Sequence, residues 1–174
     1  MVGLTTIKQQ QQRTRDLRTR GGRSRRIQCA KVEPGLCLSC GKLTIFRPYC
    51  PKHRIGKLGL SIKTSTVPNA GLGVFALKPY KTNEMVCRYY SEYLSRHRYR
   101  ERYGGSELAE YVLEFKPNEY VDGSIQRGVD MMINHAEKSD TRCNVEFQEE
   151  GIFAIRDIQV GDELLVDYGP EYWG

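Results

Sequence analysis

No stretch of this chain approaches the roughly 18–20 consecutive apolar residues that a membrane-spanning helix needs. The opening segment, MVGLTTIKQQQQRTR, also lacks the apolar core of a secretory signal. A soluble, intracellular protein with no membrane partner is therefore expected. Acidic residues are nearly missing from the front: residues 1–63 hold 2 Asp/Glu against 15 Lys/Arg, a net charge of +13. The imbalance reverses behind them, where residues 64–174 hold 19 Asp/Glu against 12 Lys/Arg, a net of −7. A basic front suits a polyanion such as nucleic acid, and an acidic rear suits a basic peptide.

What is present fits one ordinary domain with a small appendage, in 174 residues of which 39% are hydrophobic. Residues 1–28 read as a disordered, Arg-rich tail. They contain a Gln run at 9–12 and seven Arg between Arg13 and Arg26, with few side chains able to offset the entropy of ordering. A nucleic-acid-binding or nuclear-import role follows from that charge. From residue 58 onward the chain reads as short strands punctuated by turns: LSIKTSTV, GVFAL, NEMVCRYY, YVLEF, EYVDGS, NVEF, GIFAIRDI and DELLVDYG. SEYLSRHRYRERYGG has looser, helix-like spacing and stops at Gly104-Gly105. The expected fold is mainly β, an irregular α+β arrangement of short sheets.

Residues 29–57 read as a small metal-binding module. Cys37-x2-Cys40 and Cys50-x2-His53 are two chelating pairs joined by a hairpin-sized loop, a pattern that suits a tetrahedral zinc ion. Four protein ligands leave no open position, so such a zinc is structural rather than catalytic. Cys29 competes with His53 for the fourth place. Cys87 lies in a strand pattern, and Cys143 fits either core or loop.

Four elements further on carry chemistry. NAGLGVFA holds Gly71-Leu72-Gly73. It lacks the third glycine and following helix of a dinucleotide-binding turn, so its glycines are expected to permit a tight turn and close approach to something bound. MMINHA holds Asn134 and His135 directly behind an apolar run, where polar groups require partners. Asn144 opens the next strand, and Tyr168 sits in DELLVDYG.

This order, G-x-G, then N-H, then E-L-x-x-D-Y-G, resembles the SET-domain protein lysine methyltransferases over residues 60–174. With no Cys-rich tail after YGPEYWG, the SET domain of residues 58–174 looks most like the minimal and viral members. The resemblance implies a SET-type fold with a knot-like C-terminal segment and S-adenosyl-L-methionine as cofactor. It also implies lysine methylation, with a histone as the default substrate and the nucleus (the host's, if viral) as its place. Gly71, Leu72, Gly73, Asn134 and His135 would contact the cofactor, each polar group gaining its partner on binding. Tyr168 matches the active-site tyrosine, and Tyr111 a common aromatic position with it. Tyr120, Val166 and Trp173 would line or close the lysine channel, Val166 at the position that sets room for added methyls. Met131 and Ala136 stand where the family block has Arg and Ser, and eight residues separate His135 from Asn144 where four are usual. The added EKSD is expected to bulge outward. An alternative keeps the fold as a non-catalytic chromatin or nucleic-acid adaptor. Another directs methylation to a non-histone protein.

Overall fold

The computed structural model describes residues 32–104, 111–137 and 140–168. The Arg-rich tail, Cys29, Tyr172 and Trp173 lie outside them, as do Lys138 and Ser139 of the inserted EKSD. No helix among the described residues is long and apolar enough to cross a membrane.

The first described elements are the hairpin β1 (Gly35–Leu36) and β2 (Leu43–Thr44), followed by helix α1 (Pro51–Leu58). Pro51 opens the helix, since proline suits the first helical turn, where its missing N–H is no loss. Gly59, at φ 65°, ends the helix in a left-handed cap and bonds back to the Ile55 carbonyl. The chain then forms β3 (Leu60–Thr64) and β4 (Leu72–Ala76), paired antiparallel from Leu60↔Ala76 to Thr64↔Leu72. Next come β5 (Met85–Cys87), β6 (Glu92–Ser95) and helix α2 (Arg96–Tyr103). The hairpin β7 (Val112–Lys116) and β8 (Glu119–Asp122) turns through Asn118 at φ 65°. A short 3-10 turn (Val129–Met132) leads into β9 (Asn134–His135). The chain closes with β10 (Val145–Gln148), β11 (Gly151–Ala154) and β12 (Leu165–Val166).

Strands β6, β8 and β7 make one sheet, and β5, β11, β10, β12 and β9 make another. In the second, β12 is inserted between β9 and β10, parallel to both, although both precede it in the chain. This is the knot-like C-terminal crossing, and the mainly β architecture agrees with the sequence reading. The core gathers Leu60, Val74, Leu113, Val121, Ile152 and Leu164, all fully buried. Each contributes about 1.5–3 kcal/mol of burial free energy, enough to fix strands only two to five residues long. Cys87 is core, as its strand pattern indicated. Cys143 resolves to a smaller buried cluster with Ala136 and Leu165.

The Cys-rich segment is joined to this body through its backbone. Glu33 N–H donates to Ile125 O at 2.8 Å, Arg47 N–H to Arg127 O at 2.9 Å, and Val129 N–H to Arg47 O at 3.1 Å. The stretch it grips, 125–129, runs directly into the Asn134-His135 block.

Candidate functional site: a Cys3His cluster and a polar strand crossing

Cys37 and Cys40 sit on the turn after β1. The Cys40 and Gly41 N–H groups both fold back onto Cys37 O, with Gly41 at φ 67°. Cys50 precedes α1 and His53 lies in its first turn, so one helical turn brings the second pair together. The four ligand atoms fall within 4.8 Å of one another. His53 Nδ1 is 3.5 Å from Cys37 Sγ and 3.3 Å from Cys50 Sγ, and Cys40 Sγ is 3.9 Å from Cys50 Sγ. Tetrahedral zinc, with bonds of about 2.3 Å to sulfur and 2.0 Å to nitrogen, requires edges of about 3.8 Å and 3.5 Å. The donor set therefore fits a zinc-like ion, with Nδ1 as the histidine ligand. Burial works against ionising Cys37. The surrounding N–H groups of Cys50, Ser39 and Cys40 nevertheless bring its thiol down to about 6, the form a metal takes. Next to His53, the buried Arg54 guanidinium has no hydrogen-bond partner for Nε or Nη1 among the described residues, and burial lowers its pKa.

The second constellation forms where β12 threads between β9 and β10. Leu165 pairs with Asn134 and Val166 with His135, so both polar residues face the C-terminal strand. The Asn134 side chain was expected to wait for a cofactor, but it already has partners in the protein. Its amide donates to Leu72 O at 2.9 Å and to Glu163 Oε1 at 3.1 Å. It thus ties the G-x-G strand to the glutamate of DELLVDYG. Glu163 also accepts from Ser65 Oγ at 2.6 Å and Thr66 N at 2.7 Å. Burial alone would raise its pKa, but these donors and Asn134 outweigh burial and lower it.

The two glycines of the turn divide the roles expected of both. Gly71, at φ 75°, makes the turn, and a Cβ there would meet nothing within 4 Å. Gly73 permits a close approach, but to the protein itself: a Cβ would lie 2.1 Å from Glu163 Oε1. Leu72, 41% exposed, and the open space at Gly71 form the rim of this polar corner.

Tyr168 is buried, and its hydroxyl donates to Ile133 O at 2.6 Å. Its backbone N–H donates to His135 Nδ1 at 3.1 Å, and the two rings lie 5.1 Å apart. An acceptor Nδ1 puts the imidazole proton on Nε2. Burial lowers the His135 pKa, which keeps the ring neutral.

A family model for the SET domain matches residues 71–169, more than half of the chain. The chain belongs to the SET-domain family. The SET domain resembles the probable histone-lysine N-methyltransferase set-23 of Caenorhabditis briggsae, 26% identical over 139 residues and 70% of this chain. It also resembles the H3 lysine-4 specific histone-lysine N-methyltransferase of Debaryomyces hansenii, 30% identical over 122 residues and 64% of this chain. The chain spans 57% of the first relative's length and 11% of the second's. Solved structures of the Chaetomium thermophilum Polycomb Repressive Complex 2 align with 64% of this chain and 16% of theirs, at 26% identity and a TM-score of 0.49.

Not all residues singled out from the sequence meet at this crossing. Leu72, Asn134, His135 and Tyr168 are linked by the contacts above, and Val166 is buried beside His135 in the strand register. Tyr111 is half-buried against the same core at φ 59°, with the Arg127 guanidinium 3.8 Å from its ring centroid. Positive φ on an aromatic residue is uncommon and clusters at functional sites. Tyr120 instead stacks on Tyr99 of α2, 4.4 Å between centroids. Trp173 lies outside the described residues.

Sequence reasoning missed Glu163 and left Asn144 without a role. Asn144 clamps the crossing: its amide donates to Glu163 O at 2.8 Å, and its Oδ1 accepts from Leu165 N at 2.9 Å. The longer approach to Asn144 is absorbed by a turn in which Asp140 and Cys143 N–H groups bond back to Glu137 and Asp140. A signal for Glu163 was available. An acid beside Leu164 and Leu165 needs donors, and Ser65-Thr66 are the polar pair that supplies them.

Proposed function

We propose that the chain is a protein-lysine N-methyltransferase that uses S-adenosyl-L-methionine, with a histone tail as substrate and a structural zinc in the Cys3His cluster. The observation that carries this reading is the convergence of Tyr168, His135, Asn134 and the Gly71–Gly73 strand around one threaded β12. The cofactor, when bound, supplies an electrophilic methyl group on a sulfonium. Gly71, Leu72, Gly73, Asn134 and His135 form its side of the site, Asn134 by holding the turn in shape and His135 as a neutral ring. The histone relatives and the acidic balance of residues 64–174 support a basic protein substrate in the nucleus.

Attack requires a neutral lysine amine, whose reference pKa is about 10.4. A buried aromatic channel disfavours the ammonium, so no carboxylate base is needed. The Tyr168 hydroxyl donates a hydrogen bond to Ile133 O, which leaves its oxygen lone pairs to accept from the amine and orient it. Tyr111 supplies a second aromatic wall, and Val166, Tyr120 and Trp173 are assigned to the channel and its mouth.

Met131 and Ala136, the departures that favour a non-catalytic adaptor, are well-packed apolar residues rather than broken polar contacts. The test is incubation of the chain with labelled S-adenosylmethionine and separate pools of histones, nucleosomes and ribosomal proteins. Methyl-lysine in a histone is expected, and transfer confined to the ribosomal pool moves the substrate to a non-histone protein. Transfer to none, with no cofactor binding by calorimetry, refutes the enzyme and leaves the adaptor.

A further inference from the structure

A closed circuit of contacts holds Tyr111 in its left-handed backbone conformation at φ 59°. The Tyr111 carbonyl accepts from Gly123 N–H at 2.8 Å, and the Gly123 carbonyl accepts from Arg127 Nε at 3.0 Å. The Arg127 guanidinium then returns to the Tyr111 ring, its Cζ 3.8 Å from the centroid. The main chain of Arg127 is fixed as well, since its carbonyl accepts from Arg47 N–H of the Cys-rich segment at 2.9 Å. Backbone and side chain together set where this cation lies.

Its charge is not cancelled. Among the described residues Arg127 makes no ion pair, and the carboxylates on either side of it in the chain are engaged elsewhere. Asp122 of β8 takes bonds from Arg102, Tyr103 and Ser124 N–H, and Asp130 of the 3-10 turn takes them from Tyr90 N–H and Ser91. In the Cys-rich segment Arg47 Nε lies against Gly35, and Glu33 is exposed. The charged groups at the crossing are His135 and Asp167, 4.0 Å apart. A cation fixed on one face of an aromatic ring opposes a second cation on the other face, and leaves a neutral amine unopposed.

We infer that Arg127 is a positioning residue for methyl transfer, holding Tyr111 as a wall of the lysine channel and favouring, from behind that ring, the neutral substrate amine. The inference rests on the reading of the chain as a lysine methyltransferase with Tyr111 in its channel. Attack requires an amine without its proton, and the reference pKa of lysine is about 10.4. A guanidinium roughly 7 Å from the amine across the ring lowers that value by about one unit at an effective dielectric of about 20. Arg127 exchanges no proton itself and acts through the ring.

Two substitutions in the full chain separate charge from hydrogen bonding. Arg127→Gln keeps an N–H donor where Nε now meets Gly123 O and removes the charge. Arg127→Lys loses that donor and sets its ammonium close to the present place of Cζ. Single-turnover transfer from labelled S-adenosylmethionine is measured from about pH 7 to 10, on whichever pool of histones, nucleosomes or ribosomal proteins the parent methylates. His135, with its pKa held below the ordinary 6.5, does not titrate in that window. The midpoint of the pH–rate curve should rise by about one unit in Arg127→Gln, so that transfer below it falls about tenfold while the high-pH plateau is kept. Arg127→Lys should retain the parent's midpoint. An Arg127→Gln curve that overlies the parent's, or a loss equal at every pH, overturns the inference. So does an Arg127→Lys curve shifted as far as that of Arg127→Gln. A parent that methylates no pool refutes the enzyme reading and the inference with it, whereas the other outcomes leave the enzyme reading standing.

Discussion

The Cys3His segment and the β12 crossing are both held by polar atoms, but over very different chain distances. The four candidate ligands lie within residues 37–53, and two tight turns bring them together. At the crossing, Glu163 reaches Ser65 and Thr66 across nearly a hundred residues, and Asn134 reaches Leu72 across 62. The first region is a local cluster of donors that could hold an ion. The second is completed by the protein itself and exists only once the whole chain has folded. They meet at Arg47, whose backbone is bonded to the stretch leading into Asn134.

Metal removal should separate the two most. Zinc supplies ~10 kcal/mol or more to small modules that depend on it. A strong chelator, or Cys37→Ser, should therefore abolish amide protection in residues 35–58 while β10–β12 stay protected. Hydrogen exchange checks this, and equal loss in both regions would make them one cooperative unit.

At the crossing, Asn144→Ala removes one donor and one acceptor and leaves Glu163 O and Leu165 N–H buried without them. A loss of about 2–4 kcal/mol in urea unfolding is expected, with metal content unchanged. Gly73→Ala comes next, at about 1–3 kcal/mol, because its Cβ would push on Glu163 Oε1. A neutral result there would mean that Glu163 is free to move.

The smallest effect is that of acid. Burial holds the His135 pKa below its ordinary 6.5, so the folded state binds fewer protons than the unfolded one just under that pH. Stability from the neutral ring is complete above about pH 6.5 and declines as pH falls towards the lowered folded value. Protonating Nδ1 also removes the acceptor for Tyr168 N–H. His135→Gln should flatten this acid limb, and an unaltered limb would trace it to other groups.

These distances explain what could be read from the sequence. The Cys and His spacing was legible because turn geometry is local, and most strands were legible from alternation and turn residues. The α1 helix was not, since Pro51 reads equally as a turn or as a first helical residue. Asn134 and His135 stood out as polar residues beside a core, but their partners could not be read. Leu72 O, Glu163 and the Tyr168 N–H come near only through the crossing. Gly73 looked like a ligand contact because a glycine in sequence does not say which neighbour comes close. Asn144 lay behind an enlarged gap, and only the fold reveals that its clamp survives.

The central claim, that this threaded corner transfers a methyl group, is tested most directly by Tyr168→Phe. The substitution keeps the ring against His135 and removes only the hydroxyl that donates to Ile133 O. Transfer from labelled S-adenosylmethionine to histones should fall at least about 100-fold, while the lost hydrogen bond to Ile133 O costs about 1–3 kcal/mol and leaves the protein folded. Transfer at the parent's rate by a folded Tyr168→Phe protein would contradict the account.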